Sequence, residues 1–124
     1  MVKELLFVGL GGGLGSILRY LTTTFIQKYA QTLFPLATFF VNIAGCFLVG
    51  ILWGLFEKYA LLNNELRLLL VVGFCGGYTT FSAFSAESLA LFESGNYLIL
   101  CGYIVASIVM GLSAVWLGNF ILKI

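Results

Sequence analysis

Apolar stretches alternate with short polar links along this chain, and the alternation predicts its elements. Leu5 to Gln27 holds a single charge, Arg19, while Tyr29 to Phe56, Leu68 to Ala86 and Ser94 to Leu122 hold none. A helix that crosses the hydrocarbon of a bilayer needs about 20 mostly apolar residues. The pattern therefore predicts four transmembrane helices, near 5–26, 35–56, 67–92 and 97–122. Pro35 suits the first turn of the second helix, where a missing N–H costs nothing. The links around 27–34, 57–66 and 93–96 carry most of the charges and turn formers. The expected fold is an all-α membrane protein forming one transmembrane domain over 1–124.

The third stretch is interrupted. Gly73-Phe74-Cys75-Gly76-Gly77-Tyr78-Thr79-Thr80-Phe81-Ser82-Ala83-Phe84 sets three glycines, three hydroxyl residues and a tyrosine at membrane depth. Hydrocarbon cannot hydrogen-bond exposed backbone, so a broken helix there survives only inside protein or beside an ion or water path. The sequence predicts a break near Gly73–Thr80, with Thr79 and Thr80 capping the second half-helix. Two readings stay open: an ion site built from unwound carbonyls, or a kink for close helix crossing.

Composition removes most other functions. With 61% hydrophobic and 9% charged residues among 124, no soluble domain of this size covers its apolar surface. A net charge of +1 offers no basic face for nucleic acid. The chain has no His, and Cys46, Cys75 and Cys101 are widely spaced in apolar segments. Neither a close-paired metal site nor a nucleophile–base pair is present, so no enzyme is expected. Met1 to Ser16 imitates a signal peptide, but apolar character resumes past Arg19 and continues to Ile26, which favours a span.

Lys3, Lys58, Arg67 and Lys123 fall on one side of the predicted membrane, and Lys28 and Arg19 on the other. That is a modest bias toward both termini inside, compatible with mixed insertion. Four thin helices enclose little, so association is expected. Gly11-xxx-Gly15, Gly50-xxx-Gly54 and Ser107-xxx-Gly111 permit close helix approach, either within one chain or between two.

The polar residues inside the spans are mostly neutral donors. Asn42 lies one turn after Thr38 on the second helix, and Ser107 one turn after Tyr103 on the fourth. A buried amide is costly without partners. Phe81 and Phe84 share a face of the second half-helix, and the positive rim of a phenyl ring can meet an anion. Ser82 adds a hydroxyl beside them. Arg19 is a structural anchor or an anion-attracting entrance, and Glu87 marks a water-filled mouth or an interface position. Donors and ring edges without a fixed cation suit a small, strongly hydrated anion, which must bind weakly enough to leave.

Gly12-Gly13-Leu14-Gly15-Ser16-Ile17-Leu18-Arg19-Tyr20, Val41-Asn42-Ile43-Ala44-Gly45-Cys46-Phe47 and the 73–84 stretch together resemble the Fluc/CrcB fluoride channels, in order and across essentially the whole chain. The resemblance implies a channel in the cell inner membrane that lets cytoplasmic fluoride leave passively. It implies an antiparallel, dual-topology dimer, of two identical chains or of two homologous ones. It implies a structural Na+ at the dimer interface, held by the backbone carbonyls of Gly76 and Thr79. The family's phenylalanine pair falls on Phe81 and Phe84 and its pore asparagine on Asn42. Its polar track falls on Thr38, Ser82, Tyr103 and Ser107, its arginine on Arg19 and a vestibule carboxylate on Glu87. Tyr78 stands at a variable position of the motif, and Ala83 replaces a frequent hydroxyl residue.

Two rivals remain on sequence grounds. A small proton-coupled multidrug exporter needs a carboxylate deep in the first helix, where this chain has Arg19 and only a terminal Glu4. A non-transporting assembly subunit explains the small-residue surfaces but not the set of amide, hydroxyls and phenyl rings.

Overall fold

Each predicted span is helical in the computed structural model, which describes residues 1–60 and 63–124. Residues 61–62, inside the link expected at 57–66, lie outside the described residues. Helix α1 runs Val2–Tyr29 and α2 runs Leu36–Lys58. The third span comprises α3 (Asn64–Arg67), a π-helical stretch (Leu68–Cys75), α4 (Gly76–Tyr78) and α5 (Phe81–Glu93). Helix α6 is Tyr97–Lys123. The four spans have 28, 23, 30 and 27 residues and are apolar enough to cross a membrane. Even the shortest, at 1.5 Å per residue, reaches about 34 Å, against a hydrocarbon thickness of about 30 Å.

Local chemistry sets the ends. Pro35 stands immediately before α2, where its lack of an N–H breaks no ladder bond. The Asn63 side chain accepts a hydrogen bond from the Leu66 N–H at 2.9 Å and so caps α3. Gly95, at φ +80°, takes the left-handed turn between α5 and α6 that a side chain would disfavour.

Two helix pairs make up the bundle. Helix α1 lies along the π-helical stretch and α4, and α2 lies along α6. Contacts of α2 with α1 and with the third span join the pairs. Glycine decides both seams. A methyl group on Gly15 would overlap the Phe74 carbonyl, and one on Gly11 the Leu69 carbonyl. On the other seam, a methyl on Gly50 would strike the Val115 carbonyl, and one on Gly54 would come within 2.7 Å of Leu122 Cβ. The Gly11/Gly15 and Gly50/Gly54 motifs thus serve packing within one chain. Gly111 also faces inward, near Cys46 Sγ.

The break falls at the last two positions of the predicted stretch. Thr79 (φ −84°, ψ 158°) and Thr80 (φ −149°, ψ 112°) are extended. Gly73, Gly76 and Gly77 remain helical. The smallness of Gly73 and Gly77 is used for packing: a side chain on Gly73 would meet the Val8 carbonyl at 2.8 Å, and one on Gly77 the Gly12 carbonyl at 2.5 Å.

The charged end gathers Lys3, Glu65, Glu57 and Lys123 in two ion pairs, of 2.6 Å (Lys3–Glu65) and 3.8 Å (Lys123–Glu57). Leu10, Ile17, Leu112 and Trp116 are among many large apolar side chains on the outside, as suits a surface facing lipid or another apolar partner.

Candidate functional site

The break is closed on one side and released on the other. Thr79 ends the first half-helix: its N–H and its hydroxyl both donate to the Cys75 carbonyl, at 3.0 and 2.9 Å. Thr80 starts the second half, its Oγ1 accepting from the Ala83 N–H at 3.1 Å. The two threonines divide the task that the sequence assigned to both. Ser82 Oγ lies 3.3 Å from Thr80 Oγ1 at the exposed edge of the break.

Asn42 of α2 holds the break in place. The Thr80 N–H donates to Asn42 Oδ1 at 2.7 Å, and Asn42 Nδ2 donates back to the Thr80 carbonyl at 3.1 Å. The amide thus pairs with the interrupted backbone as a neighbouring strand would. One Nδ2 hydrogen is used in this way, and the amide carries a second.

This pairing bears on the proposed cation ligands. In an unbroken helix the Thr80 N–H would bond the Gly76 carbonyl. Here it goes to Asn42, so the Gly76 oxygen loses its ladder donor. The extended Thr79 likewise carries its carbonyl outside both half-helices. Two released carbonyl oxygens at a helix break fit a hard monovalent cation.

A second cluster forms beyond the break. Thr38 Oγ1 donates to Glu87 Oε2 at 2.8 Å, and the Tyr103 hydroxyl donates to Glu87 Oε1 at 3.0 Å. Tyr103 is fully buried and Thr38 is 4% exposed. Helices α2, α5 and α6 each supply one member. Glu87 also lines a cavity of about 450 Å³ together with Gln27, Thr32, Phe34, Ser94 and Asn96. The carboxyl group therefore sits between the cavity and two hydroxyls.

The rings connect the two regions. Phe84 packs on Tyr103 with centroids 5.0 Å apart, and Phe81 on Phe84 at 5.7 Å. Phe81 is 78% exposed and borders a groove of about 270 Å³ with Asn42, Thr79 and Thr80. Ser107 Oγ, one turn past Tyr103 on α6, is buried with no hydrogen-bond partner among the described residues. An unpaired buried hydroxyl costs free energy on the order of 1–3 kcal/mol.

Arg19 occupies another region. Helix α1 continues to Tyr29, so Arg19 is well inside it rather than near its end. Its Nε donates to the Gly77 carbonyl at 2.9 Å, just before the break. Tyr78 packs on Phe74 and donates to Thr22 Oγ1 at 3.3 Å, which ties the same segment to α1. The geometry thus joins Thr38, Glu87, Tyr103 and Phe84, joins Asn42 to the break beside Phe81, and sets Arg19 behind it.

Sequence reasoning missed Thr80 as the backbone partner of Asn42, and missed Phe34 altogether. The Phe34 ring stands at 5.3 Å and 77° to that of Tyr103. The available signal was an aromatic residue directly before Pro35, at the mouth end of the Thr38 helix.

Residues 6–119 match the family described as CrcB-like protein, Camphor Resistance (CrcB). The chain is 52% identical over 122 residues, 98% of each chain, to the fluoride-specific ion channel FluC of Flavobacterium psychrophilum. It is 50% identical over 117 residues to the protein of that name from Phocaeicola vulgatus, covering 94% of this chain and 96% of that one. Against the one from Azobacteroides pseudotrichonymphae it is 47% identical over 118 residues, 95% and 94% of the two chains.

Proposed function

The chain belongs to the CrcB family, and from that premise we infer that it is a fluoride-specific ion channel, not an enzyme, which lets cytoplasmic fluoride leave passively and so lowers its toxicity. It is a multi-pass membrane protein. The membrane is the cell inner membrane, and the working unit is an antiparallel dimer of this chain or of this chain and a homologue. Protonated fluoride is neutral, crosses lipid and dissociates in the less acidic cytoplasm. A negative-inside potential, worth about 2.3 kcal/mol per charge per 100 mV, then drives the anion out through any selective path.

The observation that carries this function is the row of neutral donors and rings joined to a broken helix. The free Nδ2 hydrogen of Asn42, the Ser107 hydroxyl and the hydroxyls of Thr38, Ser82 and Tyr103 replace water around the anion. The rims of Phe81 and Phe84 border the path between them. Because no Lys or Arg stands in the row, fluoride is held loosely enough to move on. Thr38 and Tyr103 are bonded to Glu87, so they reach an anion only as the carboxylate yields them. Glu87 keeps these two hydroxyls oriented and itself lines the cavity. The carbonyls of Gly76 and Thr79 would hold a structural Na+, which would supply fixed positive charge at the seam between subunits.

Fluoride efflux from liposomes that contain only this polypeptide tests the proposal. Fluoride leaves and chloride stays, and Phe81→Ile or Phe84→Ile abolishes efflux while the protein still elutes as a dimer. Vesicles that remain impermeable to fluoride would contradict the function, and undiminished flux in both variants would remove the role of the rings.

A further inference from the structure

We propose that Phe34 is a further residue of the anion path: its ring closes the passage between the aqueous cavity and the buried hydroxyls. This rests on the fluoride-channel function proposed above. The cavity and the hydroxyl pair are neighbours, since Glu87 lines the first and accepts from the second. Yet Tyr103 is fully buried and Thr38 nearly so. An anion in the cavity cannot reach either hydroxyl without something moving aside. Phe34 is placed to be that element. It lines the cavity and packs edge-on against Tyr103, with centroids 5.3 Å apart at 77°, and against Phe39 at 5.4 Å and 75°.

Its attachment suits a movable ring. Phe34 belongs to the short link between α1 and α2 and is only half-buried. The bonds found at Phe34 all go to its carbonyl, from Thr32 Oγ1 at 2.9 Å and from the Leu36 N–H at 2.7 Å. They fix the backbone, while the ring is kept in place by packing alone. Pro35 adds to this, because the residue before a proline is confined to extended conformations. The ring also begins a series: Phe34, Tyr103, Phe84 and Phe81 follow one another at 5.3, 5.0 and 5.7 Å. The series leads from the cavity to the groove at the break. An apolar ring at a narrow mouth hinders a hydrated ion by excluding water, and a smaller side chain relieves that barrier.

The test is initial fluoride efflux from liposomes containing wild type, Phe34→Ala, Phe34→Leu or Phe34→Trp, each first checked for dimer elution. Closure predicts opposite signs: alanine and leucine raise efflux, alanine by about threefold or more, and tryptophan lowers it by a similar factor. Chloride stays excluded in all, because Phe81 and Phe84 are untouched. If alanine does not yield a folded protein, leucine against tryptophan decides by the same opposition. Rates equal to wild type, or slowed by small and large replacements alike, would show that Phe34 only packs the start of α2, and would overturn the proposal. Wild-type protein that passes no fluoride would instead fell the channel function itself.

Discussion

Both the oxygen and one N–H of the Asn42 amide are spent on the Thr80 backbone, which makes this residue sensitive to a change of one atom. Asn42→Asp keeps the acceptor for the Thr80 N–H but sets a carboxylate oxygen against the Thr80 carbonyl. It loses a buried hydrogen bond, worth about 1 kcal/mol, and leaves an unpaired acceptor that costs on the order of 1–3 kcal/mol more. It also places negative charge on the proposed path of an anion. The expected outcome is a dimer that elutes like wild type and shows no fluoride efflux above protein-free vesicles. Normal conductance would mean that Asn42 does not face the ion. The sequence showed that a buried amide here needs partners. It did not show that the partner is the backbone of a residue 38 positions away, because the pairing exists only once α2 crosses the broken span.

At the scale of the element, the glycines of the third span have a different use from the break beside them. They were legible as an interruption, since three glycines and two threonines in an apolar stretch contradict an ordinary span. Which of them would unwind was not legible. Helix α1 presses so closely on the π-helical stretch that only glycine fits at Gly11, Gly15, Gly73 and Gly77, and that contact keeps them helical. The unwinding passes to Thr79–Thr80, where Asn42 offers replacement hydrogen bonds. Gly15→Val therefore overpacks a backbone contact and is expected to cost more than the usual 1–3 kcal/mol of an overpacked core. Gly9→Ala on the same helix meets nothing within 4 Å and is expected to be neutral or to raise stability by about 0.5–1 kcal/mol. Thermal unfolding of both variants in detergent, followed by tryptophan fluorescence, checks this; equal midpoints would contradict the seam.

For the molecule as a whole, the exposed break is the feature that the proposed antiparallel dimer has to account for. Irregular backbone does not face lipid, yet Thr79, Thr80 and the 78% exposed Phe81 border an open groove. A second copy in the opposite orientation would cover it and complete the surroundings of the Phe81 ring. The charge bias is modest enough for such pairing, because Lys28 partly offsets the four basic residues at the other end. A C-terminal epitope on intact spheroplasts should then be cleaved by external protease in roughly half of the molecules, as equal insertion in both senses requires. Complete protection or complete cleavage would rule out an antiparallel pair made from this chain alone.

The sequence by itself determined the four spans, the fact that the third one is interrupted and the chemical kind of the polar set, because hydropathy and helix breaking depend on residues close along the chain. Only the tertiary structure decided that Thr38 and Tyr103 donate to Glu87, that Asn42 binds Thr80, that Arg19 donates to the Gly77 carbonyl and that Phe34 packs edge-on against Tyr103. Those pairings join different helices. A hydrogen bond or ring contact is set by the crossing of two elements at a few ångströms, which no local pattern of apolar and polar residues encodes.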